Sequence, residues 1–301
     1  MLKHWISAFR LRTLPLALST ILMGNAMAVK NENFSFSIFT LSIIVTMLLQ
    51  ILSNLANDYG DGIKGTDNNN RIGPTRALQS GAISQKQMMI AIIIFSILAL
   101  ISGIWLVFSA LSNPYSVLLF ILLGLGAIAA AIKYTVGKKA YGYSGLGDFF
   151  VFIFFGIVGV NGSFYLQTGF IEILYFLPAI SIGCFSTAVL NLNNMRDIEN
   201  DRASSKNTLA VKMGLATAKK YHYSLFFWSY IALFLFLYFE SYNLPKTYLI
   251  VSTLAALAIH IKHLITVNKS SDYKSFDPQL KVIALSSFLL SLAWFLTISL
   301  I

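Results

Sequence analysis

Asn193, Asp197 and Asp201 recur at every fourth residue in Asn191-Leu-Asn193-Asn-Met-Arg196-Asp197-Ile-Glu-Asn-Asp201, directly after a wholly apolar run. Continued as a helix, that spacing stacks three oxygen ligands along one face. Such a row at the mouth of a membrane helix suits a hard divalent cation, Mg2+ above all. A lone Asp-x-x-x-Asp is most often a solvated polar turn, and what lifts this one is a second copy. In Asn54-Leu-Ala-Asn57-Asp58-Tyr-Gly-Asp61-Gly-Ile-Lys64-Gly65-Thr-Asp67, residues Asn57 and Asp61 repeat the Asn-x-x-x-Asp spacing 136 positions earlier, again after an apolar run. Thr75-Arg-Ala-Leu-Gln-Ser-Gly81 then lines up with Thr208-Leu-Ala-Val-Lys-Met-Gly214 at an offset of 133, the difference falling in the loop between. Two matches in the same order point to an internal duplication, over about 36–111 and 173–239, inside a single domain spanning 1–301. Each half would bring one acidic helix end to a shared site.

Two acidic clusters facing each other repel unless cations lie between them. Metals held in this way keep an open side for phosphate oxygens. Basic residues for a phosphate are at hand in the same loops: Arg71, Arg76, Lys138, Lys206 and Lys212. Tyr134-Thr-Val-Gly-Lys138 sets a tyrosine and a lysine four residues apart at the end of another apolar run. Gln50, Asn54, Asn57 and Asp61, at steps of 4, 3 and 4, draw a polar stripe down one helix face. Facing lipid such a stripe is costly, so it should line a cavity. No Walker-type glycine loop, Ser-His-Asp order or zinc spacing is present. His260 and His263 sit near the end of an apolar run, where an interfacial position is expected.

The elements that must hold these residues are membrane helices. Of 301 residues, 56% are hydrophobic and 11% charged, with mean hydropathy +0.71. Apolar runs of the length needed to cross a bilayer predict nine spans, at roughly 14–29, 36–55, 88–111, 115–132, 149–166, 173–192, 223–239, 248–265 and 282–301. The chain is therefore read as an all-α polytopic membrane protein. Cys184, the only cysteine, lies in an apolar run and is expected to be a small buried hydrophobe. Lys3, Arg10 and Arg12, an apolar stretch and Ala26-Met-Ala28 have the outline of a cleavable signal. A retained first helix is the expectation.

The net charge of +10 does not point to nucleic acid, because the basic residues alternate with the spans. With the N-terminus cytoplasmic, twenty of the 22 basic residues fall in inner segments and only Lys30 and Lys246 lie outside. Glu32, Glu172 and Glu240 are the outer acids. The outer loops (30–35, 112–114, 167–172 and 240–247) are short. Both acidic motifs end even-numbered spans and so share the cytoplasmic face, where the function is expected to lie. Carboxylates, a divalent metal, basic residues and a membrane cavity together suit a lipid diphosphate, whose ionisation would leave an allylic cation for aromatic rings to shield.

Asn57-Asp58-Tyr-Gly-Asp61, Tyr134-x-x-x-Lys138 and Asn193-x-x-x-Asp197-x-x-x-Asp201 resemble the three signatures of the UbiA superfamily of intramembrane prenyltransferases, from Arg12 to the last span. The longer strings Asn57-Asp-Tyr-Gly-Asp61-Gly-x-x-Gly65-x-Asp67, Arg71-Ile-Gly-Pro74, and Leu192-Asn-Asn-x-Arg196-Asp197 with Lys206-x-Thr208-Leu-Ala-Val are similar to its menaquinone-pathway branch, which acts on 1,4-dihydroxy-2-naphthoate. The resemblance implies nine helices around a central cavity in the cytoplasmic membrane of a bacterium. It also implies Mg2+, a polyprenyl diphosphate donor and an acceptor that loses its carboxylate as CO2. By position, Asn57, Asp58, Asp61, Asp67, Asn193, Asp197 and Asp201 would serve the metal. Arg12, Arg71, Tyr134, Lys138 and Lys206 would contact the diphosphate, with Asp61, Asp197 and Lys138 central to catalysis. Two departures stand out: Gly65 replaces the superfamily's more usual second carboxylate, with Asp67 two residues on, and Ser204-Ser205 replaces a glycine before the lysine.

Two other readings exist. A sister prenyltransferase would take 4-hydroxybenzoate, haem or a lipid as acceptor. A transporter would carry ionisable groups near mid-membrane, whereas here no Asp, Glu, Lys or Arg lies in the middle of a span, and the one mid-span feature that suits a transporter is Asn161 beside Gly156, Gly159 and Gly162.

Overall fold

The computed structural model describes residues 1–68, 71–240, 246–270 and 272–300, and every regular element among them is helical. Residues 241–245, inside the expected outer loop 240–247, and residue 301, the end of the expected last span, lie outside the described residues. In a bilayer each backbone N–H and C=O must be satisfied within its own segment, so long apolar runs become helices. Among the described residues nine helices are long and apolar enough to cross. The helices are α1 (Leu2–Phe9), α2 (Leu14–Lys30), α3 (Phe36–Ile63), α4 (Gln85–Ala110), α5 (Pro114–Lys133) and α6 (Gly147–Val151). After a π-helical stretch, Phe152–Asn161, come α7 (Gly162–Thr168), α8 (Phe176–Arg196), α9 (Ile198–Ala203), α10 (Leu209–Met213), α11 (Leu215–Phe239), α12 (Lys246–Lys269) and α13 (Phe276–Ser299).

Helix starts follow local chemistry. Ser84 and Gln87 form a reciprocal capping box ahead of α4, and the Asn113 side chain accepts from the Tyr115 and Ser116 N–H groups where Pro114 opens α5. The helices that most outrun their expected spans are α3, which runs past residue 55 to Ile63, as the polar stripe through Asn57 and Asp61 requires, and α11, which begins at Leu215, ahead of the expected 223. The two extra turns of α3, the ones that matter for the site, carry Asn57 and Asp61. They stay helical because their polar side chains find partners inside the protein. The π-helical stretch was not visible in the pattern of apolar residues.

The spans close into a ring. α2 packs between α13, α3 and the π-helical stretch, α8 packs against α11, α13 and that same stretch, and α3 lies against α4 and α5. Close approach needs glycine: a Cβ on Gly156 would lie 2.7 Å from the Ala179 carbonyl oxygen and 2.8 Å from the Gly183 Cα. Met23, Ala26, Met27 and Ala28, around the signal-like site, are wholly buried in the largest core together with Phe164, Phe185, Phe226, Phe236 and Trp294. Cys184 is buried there as expected. The histidines are not interfacial. His260 and His263 are buried and bridge helices, His260 to Tyr230 (2.7 Å) and Ser286 (2.5 Å), His263 to His222 (2.9 Å) and Gln279 (2.8 Å).

Candidate active site

Between these helices lies a cavity of about 590 Å³. Asn57, Asp61, Asn193, Asp197 and Asp201 all line it, with Arg10, Arg12, Arg71, Arg76, Tyr134 and Lys206. Above this polar end the wall is apolar and aromatic, with Leu100, Ile104, Phe120, Phe150, Phe154 and Phe155 among the lining residues. Both acidic motifs thus reach one space, although 136 residues separate them.

Local structure explains how. Gly60 lets the chain after α5 press onto the end of α3, since a Cβ there would lie 2.5 Å from Thr135 Oγ1. Thr135 donates to the Ala56 carbonyl (2.8 Å), and Lys64 Nζ donates to the Thr135 carbonyl (2.8 Å). These bonds hold Tyr134 beside Asp61. Tyr134 is the residue that ends α5, and Gly137 (φ 97°) then turns the chain away. Asn54, another member of the polar stripe, reaches the Phe9 carbonyl (2.9 Å) and Thr13 Oγ1 (3.0 Å). It therefore secures the turn at Arg10 (φ 48°) that carries Arg12 to the cavity.

The second motif is not one uninterrupted helix. α8 ends at Arg196 and α9 begins at Ile198, with Asp197 as the joint (φ −97°, ψ 10°). Backbone bonds from Asp197 to Asn193 (3.1 Å) and from Asp201 to Asp197 (2.8 Å) nonetheless preserve the fourfold spacing. A common turn follows each acidic end. The Thr66 N–H returns to the Asp61 carbonyl (3.0 Å) around Gly65 (φ 73°), and the Lys206 N–H returns to the Asp201 carbonyl (2.8 Å) around Ser205 (φ 56°). By backbone, then, Asp61 corresponds to Asp201, whereas sequence spacing matched it to Asp197. Gly65 sits where the chain needs a left-handed residue, which glycine adopts without strain. Asn200 Nδ2 ties the two turns together through the Thr66 carbonyl (2.8 Å).

Charge is closely matched around the cavity. Lys206 Nζ lies 3.1 Å from Asp61 and 3.8 Å from Asp201, and Tyr143 donates to Asp61 (2.7 Å). Burial opposes the Lys206 charge, but Asp61 and Asp201 outweigh it and hold its pKa above the ordinary lysine value. Burial works against the Asp197 carboxylate as well, yet hydrogen bonds from Arg196, with Arg71 and Lys206 further off, keep its pKa below the ordinary range. Asp201 is the exception. Burial and the nearby Asp197 and Asp61 carboxylates, opposed by Lys206, push its carboxyl up to about 7.

Three expected residues are not brought to the cavity wall. Asp58 is buried in ion pairs with Arg10 and Arg76 (3.5 Å), and Asp67 pairs with Arg71 (3.1 Å) and Arg76 (4.0 Å). Lys138 is exposed, beyond the glycine that ends the Tyr134 turn, and does not line the cavity. Of the other loop cations, Lys212 is spent on the Ser144 carbonyl (2.7 Å). Conversely, sequence reasoning passed over Arg10, which donates to Asn57 (3.2 Å), and Tyr143, which joins Asp61, Thr66 (2.6 Å) and the Lys64 ammonium over its ring (3.9 Å). The one signal for Tyr143 was a Gly- and Tyr-rich loop, Tyr141-Gly-Tyr143-Ser-Gly, on the motif side of the membrane.

The donor set fits a magnesium-like ion. All five cavity ligands offer oxygen, and Asp201, raised chiefly by burial and then by the Asp197 and Asp61 carboxylates, is a group whose charged form a bound cation would favour. Among the described residues no three acidic, histidine or cysteine side chains converge closely enough to enclose an ion by themselves. That suits a cation which keeps several waters and takes phosphate oxygens as further ligands.

The fold and the site therefore define an integral membrane protein whose helices surround a cavity with one polar end, suited to an anion and cations, under an apolar chamber. Residues 17–292 match the model of the UbiA prenyltransferase family. The chain is 46% identical over 240 residues to the 1,4-dihydroxy-2-naphthoate octaprenyltransferase of Escherichia coli, covering 80% of this chain and 78% of that one. It is 36% identical to the protein of that name in Mycobacterium tuberculosis, over 74% of each. In fold it is similar to a UbiA homologue from Archaeoglobus fulgidus solved with DMAPP and Mg2+ (TM-score 0.67, 16% identity, 99% of this chain and 100% of that one). The chain belongs to the UbiA prenyltransferase family.

Proposed function

We propose that the protein transfers a polyprenyl group from polyprenyl diphosphate to 1,4-dihydroxy-2-naphthoate, releasing diphosphate and CO2 and giving demethylmenaquinol. The observation that carries this reading is the convergence of five oxygen ligands and several cations on the polar end of one apolar cavity. The acceptor is supported by relatives named for it at 36–47% identity. Partition of the basic residues supports a site on the cytoplasmic side of a bacterial inner membrane. The duplication within a single domain is supported by both acidic motifs reaching one cavity, and by Gly81 (φ 71°) and Gly214 (φ 75°) at the matched positions.

Divalent cations on Asn57, Asp61, Asn193, Asp197 and Asp201 would supply positive charge to the leaving diphosphate. Lys206, Arg71, Arg12 and the Tyr134 hydroxyl lie where they can donate to its oxygens. The bond from C1 to the bridging oxygen breaks with its electron pair leaving on diphosphate. Phe150, Phe154 and Tyr141 on the cavity wall keep water from the allylic cation and offer it their ring faces. The ring carbon bearing the carboxylate then attacks. Loss of CO2 returns the C–C electron pair to the ring and restores aromaticity, so no protein base is needed for a ring proton.

The test uses purified protein, Mg2+, a polyprenyl diphosphate and acceptor labelled in its carboxyl group. One labelled CO2 per prenyl group transferred is expected, with little turnover of 4-hydroxybenzoate. Label retained in the prenylated product would overturn the mechanism, and a preference for 4-hydroxybenzoate would move the protein to the sister reading.

A further inference from the structure

Arg196 stands between the residues expected to hold the metal, yet its own side chain has no exposed surface. Its fork is almost fully used. Nε donates to Asp197 Oδ1 (2.9 Å), and Nη2 donates to Asp197 Oδ2 (2.6 Å) and to Asn193 Oδ1 (2.9 Å). Nη1 donates to Asp277 Oδ1 (2.5 Å), in the first turn of α13. One guanidinium therefore fixes Asn193 of α8 and Asp197 at the joint to α9, and ties both to the last helix.

We propose that Arg196 is the positioning residue that aims Asn193 and Asp197 at the cation, and that Asp277 acts on the metal site only through Arg196. Each oxygen that Arg196 engages has a second lone pair, which its planar donors leave unused, and both Asn193 and Asp197 line the cavity. The bidentate bond fixes the carboxylate plane, and the bond to Asn193 fixes which end of that amide is the oxygen. An arginine this close would also repel a divalent cation. Asp277 answers that charge, so that Asp197 keeps its own for the ion. Its side chain is 31% exposed, against 7% for Asp197, and α13 contributes no other acid to the cavity wall.

The proposal rests on the metal and diphosphate part of the proposed function and not on the identity of the acceptor. It is tested by a double-mutant cycle read by binding, with Mn2+ and inorganic diphosphate as probes and electron paramagnetic resonance of the purified protein as the readout. Asp277→Asn should weaken Mn2+ binding about tenfold, which is about 1.4 kcal/mol. Arg196→Lys, which keeps the charge but loses the fork, should weaken it similarly. In the Arg196→Lys background, Asp277→Asn should cost much less than it does alone, because the two residues act as one unit. A full and independent Asp277→Asn effect in that background would overturn the proposal, since Asp277 would then act on the ion directly. Wild-type affinity in folded Arg196→Lys would overturn it too. Thermal unfolding of each variant identifies the folded ones, and if Arg196→Lys does not fold, Arg196→Gln serves as the background. Absence of Mn2+ binding in the unaltered protein would instead fail the metal reading itself, and the proposal with it.

Discussion

Asp61 and Asp197 line the same cavity, each already held by a buried cation, Lys206 for one and Arg196 for the other. Asp61→Asn and Asp197→Asn should each lower turnover by about 10²-fold or more, because each would weaken the hold on a cation that stabilises the developing charge of the leaving diphosphate. Thermal unfolding checks that the loss is not misfolding, since Asp197→Asn leaves a buried arginine with fewer partners. Lys206→Met should be nearly as damaging, while Lys138→Met should leave the KM for the donor little changed. A large Lys138 effect would show that the exposed loop closes over substrate. pH provides a separate check. A cation binds Asp201 only after its proton leaves, and that carboxyl sits near about 7 without metal. Apparent Mg2+ affinity should therefore rise as pH passes upward through about 7 and level off above it. The step should vanish in Asp201→Asn, as measured by activity against Mg2+ concentration at each pH.

Among the helices, packing distance rather than hydrophobicity sets what is tolerated. A Cβ on Gly24 of α2 would lie 2.2 Å from the Val160 carbonyl oxygen and 2.1 Å from Ser163 Oγ. Backbone cannot move aside as a flexible side chain can, so Gly24→Val should destabilise by about 1–3 kcal/mol. Gly103 of α4 also lines the cavity but has open space where a Cβ would stand. Gly103→Ala should leave the unfolding midpoint unchanged or slightly raised, because alanine costs less backbone entropy in a helix than glycine, by about 0.5–1 kcal/mol. Midpoints of the detergent-solubilised variants separate the two cases. Equal effects would mean that the α2 contact is looser than its geometry indicates.

At the scale of the molecule, both acidic motifs must face one compartment. Twenty of the 22 basic residues share that side when the N-terminus is cytoplasmic. The nine span-capable helices among the described residues would then put the C-terminus outside. A C-terminal tag should be reached by protease only from the outer face, and an N-terminal tag should stay with the membrane-bound protein. Loss of the N-terminal tag would take Arg12 from the cavity and α2 from the core. A C-terminal tag protected with the cytoplasm would require a different number of crossings.

The number and place of the spans, their all-helical character and the pairing of two acidic motifs were legible in the sequence. Bilayer crossing demands long apolar runs, and Asn57, Asp61, Asn193, Asp197 and Asp201 keep helical spacing that survives even the joint at Asp197. Spacing along one strand of chain says nothing about which partner a charge finds across the cavity. Asp58 and Asp67 look like ligands by position, yet tertiary packing commits them to Arg10, Arg71 and Arg76. Tyr134 and Lys138 look like one helical pair until the helix ends between them. Tyr143, Arg10 and Asp277 reach the site only because loops and helices distant in sequence are brought together, as the hydrogen bonds of Asp61, Asn57 and Arg196 record. Periodicity and composition are local properties and determine each helix alone, whereas neutralising a buried charge is a contact between helices, which only the folded ring decides.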